Sequence, residues 1–84
     1  MKTNVIFLYN LAENDLFAIF PESNDIGKME KNEKIDCYAS IGQHSSASVQ
    51  YILDCYEAAP GQYRELKTEL EGQGYTLNVI HIKN

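Results

Sequence analysis

The sequence predicts an α+β domain with a four-stranded, mainly antiparallel sheet and two helices packed on one of its faces. Three observations carry this. Two β-branched and aromatic runs, "NVIFLY" (4–9) and "LFAIF" (16–20), stand close together at the start of the chain. A period-two segment, "IDCYASI" (35–41), follows them. Only then do two stretches with helical periodicity appear, and a last apolar run, "YTLNVIHI" (75–82), closes the chain. Strands grouped ahead of helices, in the order β-β-β-α-α-β, indicate α+β architecture rather than alternating βαβ units.

Each element has a local reason. The first two runs are rich in residues that suit a pleated, half-buried surface. Between them, "NLAEND" (10–15) supplies the Asn, Glu and Asp of a turn, and Pro21 ends the second run because it cannot donate to a ladder. This predicts a β-hairpin. In the third strand Ile35, Cys37, Ala39 and Ile41 share one face, and Asp36, Tyr38 and Ser40 share the other. Cys37 is thereby placed on the core side. Ser48 precedes Val49, Ile52, Leu53 and Tyr56, an i, i+3, i+4, i+7 stripe, and is a good N-cap for the first helix. "EAAPGQ" (57–62) breaks that helix, and Pro60 suits the first turn of a second one. There Tyr63, Leu66 and Leu70 form the apolar stripe, and Gly72-Gln73-Gly74 provides the stop.

A chain of 84 residues is read as a single domain, 1–84, with a small core. Residues 21–34, "PESNDIGKMEKNEK", form the one long polar segment and are expected to be an exposed loop. The first, second and last strands lack a wet face; in the first, Ile6 and Leu8 are as apolar as Val5, Phe7 and Tyr9. A sheet with one solvated face should alternate. The second face is therefore expected to be covered in part by the 21–34 loop, a symmetric dimer or another protein.

Twelve Asp and Glu against seven Lys and Arg give a net charge of −5. The cations are scattered, so a nucleic-acid surface is not expected. The apolar run after Met1-Lys2 is about five residues long, too short for a signal peptide, and no segment approaches the ~20 apolar residues of a membrane helix. The expected setting is cytoplasmic, where Cys37 and Cys55 serve as small hydrophobes rather than as a bridge.

The stretch "IGQHSSAS" (41–48) carries the polar residues that can hold chemistry. Helix capping accounts for its serines but not for Gln43 and His44. Residues Gly42, Gln43, His44 and Ser45 are thus a candidate binding loop, or else a hydrogen-bonded turn pinning the third strand to the first helix. Cys37, His44, Cys55 and His81 are zinc-type ligands, but no compact zinc spacing occurs. A G-x-S-x-G elbow, a cysteine-enzyme signature and a phosphate loop are all missing from the sequence. No catalytic residue, metal or cofactor is assigned. Tyr38, facing away from the core side of its strand, joins Ile6 and Leu8 as a candidate interface.

The segments "CYASIGQHSSAS" and "APGQYRELKTELEGQGY" resemble a group of short bacterial proteins carried on phages and mobile elements. The matching positions are Tyr38, Gly42 to Ser45, and Pro60 to Tyr75. The resemblance covers about half the chain and implies an intracellular, accessory protein; it brings no known activity. The reading is a small acidic protein-interaction module, a homodimer or partner-binding protein. The alternative is a small enzyme or ligand binder using Gln43, His44 and Ser45.

Overall fold

In a computed structural model, which describes residues 2–39 and 43–83, the chain forms an open, mixed six-stranded sheet with two helices. The strands are β1 (Thr3–Asn10), β2 (Asp15–Ile19), β3 (Lys34–Ala39), β4 (Gln43–Ser48), β5 (Tyr56–Glu57) and β6 (Leu77–Val79). The helices are α1 (Val49–Leu53) and α2 (Pro60–Gly72). Across the sheet the order is β4-β3-β2-β1, after which β1 pairs with β5 over Leu8–Tyr9 and with β6 over Thr3–Val5. All pairings are antiparallel except β1 with β6.

The first hairpin forms as expected. Asn10 pairs with Asp15, and Asn14 takes the left-handed conformation at φ 52°, which Asn tolerates. The strand expected at 75–82 shortens to three residues because it runs parallel to β1 only along Thr3–Val5. Its continuation stays docked through Ile80 N–H to the Val5 carbonyl (2.9 Å) and Lys83 N–H to the Asn24 carbonyl (2.9 Å).

Two of the strands lie where none was expected. "QHSSAS" holds no Val, Ile, Thr, Phe, Tyr or Trp, yet it folds back on β3 as β4. Cross-strand pairing here overrides weak local propensity. Ser48 does cap α1, its Oγ accepting from Tyr51 N–H at 3.2 Å. The helix then lasts only five residues, because the chain turns at Asp54 and Cys55 to pair with β1 as β5. Leu53 and Tyr56, which extended the helical stripe in the sequence, are exposed.

The second helix follows its sequence signals more closely. Pro60 opens it, and the Gln62 side chain accepts from Ala59 N–H at 2.8 Å. Gly74, at φ +103°, closes it: its N–H reaches the Glu71 carbonyl (3.0 Å) and Tyr75 N–H the Leu70 carbonyl (3.3 Å). That pair of bonds is the Schellman stop.

The helices cover opposite faces of the sheet, not the same one. Strand alternation sends Ile6, Leu8, Phe17, Ile19 and Cys37 to one side, where Val49 and Ile52 of α1 pack on them. It sends Val5, Phe7, Ala18 and Tyr38 to the other, under Leu66 and Leu70 of α2. A five-residue helix is too short to cover a sheet face. The rest of its layer comes from the 21–34 segment, where a single 3₁₀ turn, Ile26–Lys28, buries Ile26 completely and Met29 packs beside it. Of the three covers considered for the second face, this loop is the one in place. It is polar in composition, but Ile26 and Met29 within it pack on the core. Ile6, Leu8 and Tyr38 are correspondingly buried inside the chain, at 0%, 0% and 1% exposure, so they offer no surface to a partner.

Candidate functional site

The polar stretch singled out in the sequence becomes the edge strand of the sheet. Register pairs Tyr38 with His44, Cys37 with Ser45, Asp36 with Ser46 and Ile35 with Ala47. Side chains alternate across a strand. His44 and Ser46 therefore lie on the α2 face, and Ser45 and Ala47 on the α1 face. Gly42, the first residue of the expected binding loop, and the side chain of Gln43 lie outside the described residues. The expected turn between third strand and first helix is thus replaced, from Gln43 onward, by a paired strand.

On the α2 face His44 is held among rings. Its imidazole centroid is 4.7 Å from Tyr38, 6.4 Å from Phe20 and 6.5 Å from Tyr75, and Phe20 and Tyr75 stack at 5.6 Å. Behind them the Tyr38 hydroxyl donates to Glu69 of α2 and accepts from Gln73 Nε2 at 2.6 Å. The Glu69 carboxylate, and then burial, raise the Tyr38 phenol above its ordinary range. Tyr38 is thus the clasp between β3 and α2, a role its position on the strand's polar side hid from sequence reading. Next to this cluster a shallow depression of about 430 Å³ is lined by Thr3, Phe20, Asp36, His44, Ser45 and Tyr75. It offers flat rings and a carboxylate.

On the α1 face the Cys37 and Ser45 side chains meet, Sγ to Oγ, at 3.2 Å. A second depression of about 430 Å³ runs over this part of the sheet, with Phe17, Ala39, Ala47 and Tyr51 along its walls. It exists because Ala39, Ser45 and Ala47 are too small to fill the space beside α1. The Tyr51 hydroxyl donates to Glu13 at 2.6 Å, which ties α1 to the first hairpin turn. That carboxylate, with desolvation, pushes the Tyr51 phenol up to about 12. Burial raises the Cys55 thiol, whose Sγ contacts the Tyr51 carbonyl at 3.3 Å.

This geometry separates the groups that chemistry would need together. His44 and Ser45 point to opposite faces, and so do His44 and Cys37. His81 lies near the far edge, with Nδ1 2.9 Å from Glu57 Oε1. Among the described residues no three His, Cys, Asp or Glu side chains gather as metal ligands. No helix among them is long and apolar enough to cross a membrane.

The backbone of β4 carries the feature that sequence reading missed. Val49 N–H bonds to the Glu33 carbonyl at 2.8 Å. In an antiparallel ladder, directly opposed residues alternate between bonded and unbonded pairs. Counting from 33/49, the bonded pairs are 35/47, 37/45 and 39/43. The N–H and C=O of His44 and Ser46 consequently point outward, away from β3. The signal in the sequence was an uncharged hexapeptide following a strand. Comparison with family models, with curated proteins and with solved structures finds no match for this chain.

Proposed function

We propose that this chain is a small protein-interaction module whose binding element is the outer edge of β4, where an extended segment of a protein partner adds to the sheet. The reading rests on one observation above all: β4 ends the sheet with six uncharged residues and outward backbone groups on His44 and Ser46. Sheet edges are ordinarily blunted by Lys, Pro, bulges or very short strands, and β4 carries none of these among its residues. Strand addition uses such an edge, with main-chain hydrogen bonds giving affinity and flanking pockets giving specificity. Two thiols that are not bridged suit a cytoplasmic setting. The likeness of 37–75 to short proteins of phages and mobile elements fits an accessory partner-binding role.

Ser46→Pro tests this. The Ser46 N–H is not used within the sheet, and Pro is tolerated on an edge strand when its missing donor faces outward. Tagged wild-type and variant chains are recovered from the native cells and weighed by native mass spectrometry. The expected result is a stoichiometric protein complex with the wild type and a bare chain with the variant, both with similar melting temperatures. Equal recovery of the partner by both chains would overturn the edge as the binding element.

A further inference from the structure

Resting on the edge-strand reading, the geometry points to one partner chemistry: an extended segment that alternates basic and apolar residues. We infer the two halves of that pattern from the two faces that flank β4.

A strand added to β4 places the residue opposite Ser46 on the α2 face, and its two neighbours on the α1 face over Ser45 and Ala47. On the α1 face those neighbours meet the depression walled by Phe17, Cys37, Ala39 and Tyr51, which Asp15 and Lys34 also line. Ser45 and Ala47 are small, so an incoming apolar side chain passes over them and fills that space. On the α2 face the row runs Asp36, Ser46, then the added residue. Adjacent strands are about 4.8 Å apart, so the added residue stands two spacings from Asp36 with only a serine between. Asp36 is exposed, and neither it nor Glu69 takes part in an ion pair among the described residues. Lys34 is on the same face, opposite Ser48 rather than Ser46. A Lys or Arg opposite Ser46 reaches over the serine to the Asp36 carboxylate.

A second copy of the chain does not meet these requirements. Its own β4 carries only Gln, His, Ser and Ala, which leaves the apolar depression unfilled. Two-fold antiparallel pairing also sets like faces side by side. It would bring the Asp36 and Glu69 carboxylates of both copies onto one surface, between chains that each carry −5.

The test uses the full chain and three fluorescein-labelled synthetic peptides of equal length, alternating Arg/Val, Glu/Val and Arg/Ser, read by fluorescence polarisation. The expected result is saturable binding of Arg/Val, with Glu/Val and Arg/Ser each weaker by roughly tenfold or more. Asp36→Asn weakens Arg/Val by about fivefold, and Ser46→Pro abolishes its binding. Ser46→Lys keeps the backbone donor but puts a cation beside Asp36, so it weakens Arg/Val and strengthens Glu/Val. Failure of Arg/Val to bind, or binding indifferent to Ser46→Pro, overturns the inference. So does a wild-type chain that sediments as a β4-paired dimer. Equal binding of all three peptides, lost together in Ser46→Pro, overturns the alternating chemistry while leaving the edge reading intact. Loss of neither peptide binding nor the cellular complex in Ser46→Pro overturns both.

Discussion

On one side the sheet ends in β4, six residues long, uncharged and paired along its whole length with β3. On the other it ends in two fragments: β5, of two residues antiparallel to β1, and β6, of three residues parallel to it. The fragmented edge also carries the Glu57–His81 pair. Such an edge has no continuous row of free backbone groups, and its Glu57 carboxylate discourages a second sheet from approaching. The β4 edge has the row and carries no carboxylate. One small domain therefore closes one end of its sheet and leaves the other able to extend, and the difference lies in strand length and charge rather than in hydrophobicity.

The largest effect should come from the strand that both edges depend on. Leu8 of β1 is fully buried and faces α1, while its backbone partners lie in β2 and β5. Leu8→Ala is expected to cost about 2–5 kcal/mol, measured by urea unfolding. If the loss falls well below that range, β1 is not the common support and the two edges are independent.

A smaller effect isolates the β4 side. Tyr38→Phe removes the hydroxyl that links β3 to Glu69 and Gln73 of α2. The expected result is a smaller loss of stability than in Leu8→Ala, with amide exchange quickening in β3 and β4 and unchanged in β6. Uniform quickening across the sheet would show that the clasp serves the whole fold and not this edge.

The smallest effect has its signature in alkali, where it disappears. The Tyr51 phenol has a folded-state pKa of about 12 against an ordinary value of 10.0, so the folded chain holds this proton more tightly than the unfolded one. Its contribution is complete below 10.0 and is lost as the pH rises toward 12. Tyr51→Phe should therefore lower stability modestly below 10.0 and flatten the alkaline limb of a stability–pH profile, the two profiles converging as the pH nears 12. A wild-type and variant profile that fall in parallel there would place the alkaline loss elsewhere.

Much of the fold was legible in local chemistry. The first hairpin, the alternation of β3, the Ser48 cap, Pro60 at the head of α2 and the glycine stop at its end are all short-range signals. They depend on neighbours a few residues away. The strands β4 and β5 were not legible for the opposite reason. "QHSSAS" and "YE" become strands because β3 and β1 present free ladders to them, and a ladder offered by a partner leaves no trace in the residue types of the segment it recruits. The same holds for the candidate site. His44 and Ser45 stood out by residue type, but the outward backbone of His44 and Ser46 follows from register alone.

What the sequence by itself determined was the class of the domain and the apolar stripe and ends of its longer helix, since period, turn residues and caps act locally. Only the tertiary structure decided which helix covers which face. Ile6 and Leu8 could be assigned a face but not a cover, and Tyr38 could be assigned a polar side but not its burial under α2. Two small helices and one loop compete to cover a sheet that is apolar on both sides. Both apolar faces of the sheet are covered, α1 and Ile26 taking one and α2 the other. That partition is a property of the closed fold, and it leaves the edge of β4, rather than a sheet face, as the surface with unused bonding capacity.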